Sequence, residues 1–181
     1  MTSSNVTNLT YDYESRLATL SGPGISSSYS YNGLDTRVSK IENSVSNRFV
    51  RDGIGVTAPV IRDTDAAYTS GVSERRGGVS TFNFSGLKNA ELQTSSAGVA
   101  TSTRQYDAFG AVVTSSGTWS GPFGYAGDLG YQEDASGLKL LGHRYYDSST
   151  GRFLTRDVAK DGRNWYVYAA SEPNTHCDPN G

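Results

Sequence analysis

The sequence predicts an almost all-β protein, an antiparallel ribbon of consecutive β-hairpins. Three observations predict it. A Tyr-Asp-x-x-Gly turn recurs along the chain, most cleanly at Tyr106-Asp107-Ala108-Phe109-Gly110. Several short stretches alternate apolar and polar residues with period two, as strands with one covered face do. Glycine is abundant, at 21 of 181 residues, and 12 tyrosines outnumber 6 phenylalanines, which fits tight turns and half-wet strand faces rather than helices.

Residues 9–20, LTYDYESRLATL, open with Tyr11-Asp12 and pass into alternating Leu17 and Thr19. Residues 29–41, YSYNGLDTRVSKI, alternate again around Asn32-Gly33, a strong hairpin dipeptide. RFVRDGIGV follows, with Asp52-Gly53 as another hairpin signal. Residues 57–80 are the least patterned, and Arg75-Arg76-Gly77-Gly78 reads there as an exposed turn, since two adjacent arginines are a weak nucleic-acid signal. SGLKNAELQTS at 85–95 is the best helical candidate, allowing one or two turns, and 158–165 is a second. Tyr131 with Asp134-Ala135-Ser136-Gly137, and Tyr146-Asp147 with Thr150-Gly151, echo the turn motif at irregular spacing. The repeat is therefore loose and not a fixed-period solenoid.

The motif has a direct physical reading. Tyr ends a strand with its ring on a half-buried face. Asp accepts hydrogen bonds from backbone N–H groups in the turn, and Gly supplies the positive φ that closes it. A chain of such hairpins makes one long ribbon whose edges need covering or closure.

Composition excludes several function classes. A net charge of −2 gives no general drive toward nucleic acid or an anionic membrane. No apolar run is long enough to span a bilayer. The start, MTSSNVTNLTYDYE, has neither the basic end nor the apolar core of a signal peptide. Cys177 stands alone, and 2 histidines with 1 cysteine do not make a structural zinc site, so no metal or other cofactor is expected.

Residues 142–181 hold the densest aromatic group, and Tyr145, Phe153, Trp165 and Tyr168 are expected to pack as one cluster. Between Tyr106 and Gly181 the chain runs YDAFG, GPFGYAG, GYQEDASGLKLLGHRYYDSSTGRFLTRD and NWYVYAASEPNTHCDPNG. The ordered set RYYD, TGRF, YxY, P and DPxG resembles the Rhs-associated core domain of the Rhs/YD-repeat family. Residues 1–105 resemble YD repeats more loosely. The division expected is thus 1–105 as YD-repeat hairpins and 106–181 as the core domain.

The resemblance implies a β-shell, or cocoon, with the core domain as its plug. It implies an exported bacterial protein, secreted or at the cell surface, whose partner is a C-terminal passenger polypeptide, often a toxin, with other shell chains as candidate partners. A full shell needs many hundreds of residues, so this chain reads as a fragment or a miniature member. Ending at Gly181 of the motif, it reads as processed, truncated or naturally terminated there, and in each case without its passenger.

The family's self-cleavage is attributed to aspartates aided by an arginine. The matching positions are Asp157 after TGRFL, Asp178 opening Asp178-Pro179-Asn180-Gly181, and Arg144 before Tyr145-Tyr146-Asp147. Asp157 and Asp178 are 21 residues apart, close enough for hairpins to bring them together. Paired carboxylates ionise unequally, so one can activate water while the other donates a proton. Four departures stand out. Val158 replaces the usual Pro, Asp161 could exchange roles with Asp157, Glu172 replaces an Asn, and SGLKNAEL replaces a histidine-containing strand-turn. Read without the family, DPNG is a type I turn, Arg144 could pair with Asp147 at the surface, and His143 and His176 are structural. Two other functions therefore stay open: a structural or adhesive β-module that never cleaves, and a carbohydrate-binding β-domain using its exposed aromatics.

Overall fold

The structure, a computed structural model, describes residues 8–157 and 164–181. It is built of three antiparallel sheets. The first holds β1 (Asn8–Tyr11), β2 (Leu17–Gly22), β3 (Ile25–Tyr31), β4 (Arg37–Glu42) and β5 (Val45–Arg48). The second holds β6 (Val50–Arg51), β7 (Val60–Arg62), β8 (Ala66–Thr69), β9 (Ser73–Arg76), β10 (Val79–Gly86), β11 (Asn89–Ser95), β12 (Ala100–Tyr106) and β13 (Val112–Gly117). The third holds β14 (Gln132–Glu133), β15 (Lys139–Leu141), β16 (Arg144–Asp147) and β17 (Arg152–Phe153). Within each sheet the spatial order follows the chain order, so every neighbour is a hairpin partner. The all-β expectation holds: the only helical segments among the described residues are short 3-10 turns at Gly127–Leu129 and Ala169–Ser171.

One turn design recurs. The carboxylate Oδ1 of Asp12 accepts the N–H groups of Glu14 and Arg16 at 3.1 and 2.9 Å. Asp107 accepts those of Phe109 and Ala111, both at 2.9 Å. Three residues after the residue that opens the turn the backbone turns left-handed, at Ser15, Asp35, Gly110 and Gly137. Asn32 fills the aspartate's place in the second copy, accepting from Leu34 and Thr36. The hairpin turn signalled by Asn32-Gly33 is there, with Asn32 opening it and the positive φ on Asp35 rather than on Gly33.

The helical candidate at 85–95 is corrected. Phe84 pairs with Leu92, and Gly86 with Asn89, leaving Leu87 and Lys88 as a two-residue hairpin tip. Leu87 has φ 56° and is almost wholly exposed, so its hydrophobic side chain anchors no helix face. Most of the second candidate, 158–165, lies outside the described residues, and Asn164 and Trp165 are not helical.

The core falls into separate clusters. Leu17, Leu20 and Tyr29 of the first sheet pack against Leu138, Leu140 and Tyr145. Tyr125, Tyr131, Leu141, Tyr146, Phe153 and Tyr168 form another cluster, with the Tyr146 and Tyr168 ring centroids 4.7 Å apart. The expected grouping of Tyr145, Phe153, Trp165 and Tyr168 therefore breaks. Successive residues of a strand face opposite ways, so Tyr146 joins Phe153 and Tyr168 while Tyr145 stacks on Tyr29 at 5.0 Å. Trp165 is only half-buried.

A polar network joins the first and third sheets. Arg37 donates to Asp134 and to Gln132, each at 2.7 Å. Lys40 and the Tyr145 hydroxyl donate to the same carboxylate at 2.7 and 2.6 Å. The side chains of Arg37 and Asp134 are fully shielded from water. Asp134 opens a turn with the recurring backbone frame, but its carboxylate points inward, and the Ser136 hydroxyl accepts the Leu138 N–H instead. Burial alone would raise the Asp134 pKa, but the charges of Arg37 and Lys40 hold it below the ordinary 3.8. Asp134→Asn leaves Arg37 buried without its counter-charge and should cost about 3–5 kcal/mol in urea unfolding. A depressed folded pKa gives stability that is present above pH ~4 and lost as pH falls through the folded value. The variant should lack that acid-dependent part, and a loss below about 1 kcal/mol would contradict this account.

Candidate active site

The site is built on the hairpin of β15 and β16 and on the chain end that docks against it. In this hairpin Leu140 pairs with Tyr145, and Leu141 with Arg144. Cross-strand partners share a face. Leu140 and Tyr145 therefore face the first sheet, while Arg144 and Tyr146 face the aromatic cluster.

Arg144 is almost entirely buried, and its guanidinium carbon lies over the Phe153 ring, 3.7 Å from the centroid. Its Nη2 is 3.3 Å from Oδ2 of Asp178 and 3.6 Å from Oδ2 of Asp157. Its Nη1 donates to the Trp165 carbonyl at 3.1 Å. That carbonyl also accepts the Asp157 N–H at 2.9 Å. One arginine thus contacts both sequence-predicted carboxylates, each of which keeps part of its surface in water. Burial lowers the Arg144 pKa, and the two carboxylates oppose that shift, so the guanidinium stays a cation. It does not turn to Asp147, which lies on the other face of β16 and caps its own turn through Ser149.

The DPNG segment forms the turn its sequence implies. Gly181 N–H donates to the Asp178 carbonyl and to its Oδ1, both at 3.1 Å. Asp178 N–H donates to the Tyr131 hydroxyl at 3.1 Å. The turn is pressed onto the β15–β16 loop, where His143 N–H donates to the Asn180 carbonyl at 2.9 Å. Gly142 and Gly181 both have positive φ, and a Cβ on either would strike backbone of the other segment, Asn180 in one case and Leu141 in the other. Glycine is required on both sides because two backbones touch there.

Tyr131, Phe153 and Gly142 are site residues that motif reading did not single out for these roles. The hint for Gly142 is its place directly before His143-Arg144 in LGHRYYD. Val158 and Asp161 lie outside the described residues. His176 sits on the exposed segment before Asp178, with Nδ1 2.9 Å from the Thr175 hydroxyl and 3.6 Å from Glu172. Trp165 and Tyr166 flank a shallow cleft with Arg152, Arg156 and Asn164, while Tyr145, Tyr146 and Tyr168 are buried. These five C-terminal aromatics therefore do not form a continuous exposed platform. Among the described residues no group of His, Cys, Asp and Glu could hold a metal ion, and no helix is long and apolar enough to cross a membrane.

Gly142→Ala should cost at least about 1–2 kcal/mol for its left-handed backbone alone, more with the clash against Asn180. It should also expose the 178–181 amides to faster hydrogen exchange. Unchanged stability and exchange would show that the chain end is not docked on this turn.

Neither a protein-family model nor a curated protein matches the chain. Solved structures do match it. A crystal structure of TcdB2-TccC3 without its hypervariable C-terminal region matches with TM-score 0.76 and 20% identity over 98% of this chain. A crystal structure of TcdB2-TccC3-Cdc42 gives 0.73 and 19% over 98%. A Photorhabdus luminescens Tc holotoxin pore carrying an Asp-to-Ala change in TccC3 gives 0.72 and 20% over 96%. In all three the chain spans only 10% of the longer polypeptide. The likeness is one of fold: these sheets reproduce a stretch of the TcdB2-TccC3 architecture.

Proposed function

We propose that this chain is a β-shell segment of the Rhs/YD-repeat kind, whose core segment, 106–181, plugs the shell and cuts the polypeptide after Gly181. The passenger beyond that point, often a toxin in such proteins, is then released, and the setting is extracellular. The observation that carries the reading is Arg144, which contacts both Asp157 and Asp178 beside the docked DPNG turn. The match to a Tc holotoxin pore supports the shell and the exported setting.

In a chain that continues past Gly181, the substrate is the chain itself, so effective concentration is high and no general substrate pocket is needed. The backbone bond from His143 to the Asn180 carbonyl holds the peptide one residue before the scissile carbonyl. One aspartate takes a proton from water as it attacks the Gly181 carbonyl, and the other gives a proton to the leaving nitrogen. A C–O bond forms, the C–N bond breaks, and the products are a carboxylate at Gly181 and a free amine on the passenger. Arg144 fixes both carboxylates in orientation through the whole sequence, with its guanidinium carbon over the Phe153 ring. The protein turns over once and stays as the plug.

The test uses a longer chain carrying the native residues after Gly181. Wild type should separate into two fragments, and Asp157→Asn or Asp178→Asn should each slow this at least about 100-fold, the scale of one lost acid or base. Variants that cut like wild type would return DPNG to a turn and the chain to a non-cleaving structural module.

A further inference from the structure

The hairpin tip of β10 and β11 reaches the segment that leads into Asp178. Lys88 Nζ donates to the Pro173 carbonyl at 2.6 Å and to the His176 carbonyl at 3.3 Å. The same ammonium lies 5.4 Å from the Tyr125 ring centroid and 5.9 Å from that of Tyr168. Lys88 is half-buried and makes no ion pair with a carboxylate among the described residues. A half-buried cation held by two backbone carbonyls and two aromatic faces, with no carboxylate among the described residues to balance it, has a positional task, since an extended lysine would be fully solvated at the surface.

The segment it grips needs an anchor. Ala169, Ala170 and Ser171 all have positive φ, between 50° and 65°. Left-handed backbone is costly for L-residues with a Cβ, so the turn persists only where contacts on both sides hold it. Tyr168, fully buried, holds the near side. On the far side Pro173 is buried directly under the Lys88 bond, and the rest of 174–177 is exposed. Asn89, the first residue of β11, ties the same hairpin to the Gly127–Leu129 turn instead, with its Oδ1 accepting the Ala126 N–H at 3.0 Å.

We infer that Lys88 is a positioning residue: it latches residues 173–176 to the second sheet and so sets where Asp178 meets Arg144, an inference that rests on the cleavage reading above. It touches no reacting atom. It acts two residues upstream of Asp178, through the His176 carbonyl, while Tyr131 fixes the Asp178 N–H.

The experiment uses the longer chain with native residues after Gly181. Lys88→Met keeps the stem against the tyrosines and removes the donors, whereas Lys88→Arg keeps charge and donors. Lys88→Met should slow single-turnover cleavage about tenfold or more, the equivalent of one charge-assisted hydrogen bond. Lys88→Arg should restore most of the rate. Hydrogen exchange read by mass spectrometry should be faster in Lys88→Met over 172–178 and unchanged over β12, which separates a lost latch from a lost fold. Unchanged exchange over 172–178 overturns the latch. Faster exchange there with cleavage at the wild-type rate overturns the positioning role. Wild type that stays whole overturns the cleavage reading and Lys88's part in it, and is distinguished from the other outcomes by the wild-type lane alone.

Discussion

The Arg37 guanidinium and the Asp134 carboxylate, 97 residues apart in sequence, meet at 2.7 Å with no access to water. A buried pair gains little over an apolar contact of the same volume, but breaking one half leaves an uncompensated charge. It therefore acts as a specificity device: only one seating of the third sheet on the first satisfies both groups. The Tyr145 hydroxyl completes that seating by donating to Asp134. Tyr145 faces this network, and Arg144, next to it in β16, faces the other way. The anchor on one side of the strand thus fixes the arginine on the other.

From there the site follows by short steps. Phe153, paired with Tyr146 across β16 and β17, supplies the ring over which the Arg144 guanidinium sits. The loop of Gly142 and His143 accepts the chain end because neither Gly142 nor Gly181 carries a Cβ. Three independent holds then converge on Asp178: Tyr131 on its N–H, Arg144 on its carboxylate, and its own turn closed by Gly181. Local structure, packing and the proposed chemistry are connected through one hairpin.

The hairpin ribbon was legible in the sequence because each turn is coded locally. An acceptor side chain and a residue tolerant of positive φ, three positions apart, decide the backbone without help from elsewhere. Asn32-Gly33 marks a turn, as expected, and only its left-handed residue, Asp35, lies beyond the dipeptide. The failures have equally local causes. Leu87, Ala90 and Leu92 have helix-like spacing, yet sheet pairing on both sides of β11 overrides a weak helical preference. Placing Tyr145 with Phe153 ignored the alternation of strand faces, which the sequence did contain. Asp134 sits in a turn motif, but its pairing with Arg37 and the Lys88 contacts depend on long-range packing, so nothing short of the folded chain reveals them. Arg144, Asp157 and Asp178 stand out only through the resemblance of RYYD, TGRF and DPNG to the Rhs-associated core, since their spacing by itself reads as a surface pair and a turn.

Cleavage of the longer chain in water enriched in oxygen-18 tests the central claim most directly. Hydrolysis by water activated beside Asp157 and Asp178 predicts a shell fragment ending at Gly181 with one heavy oxygen in its new carboxylate, and a passenger with a free amino terminus. A chain that stays whole, a fragment that ends elsewhere, or a Gly181 terminus without the heavy oxygen would contradict it.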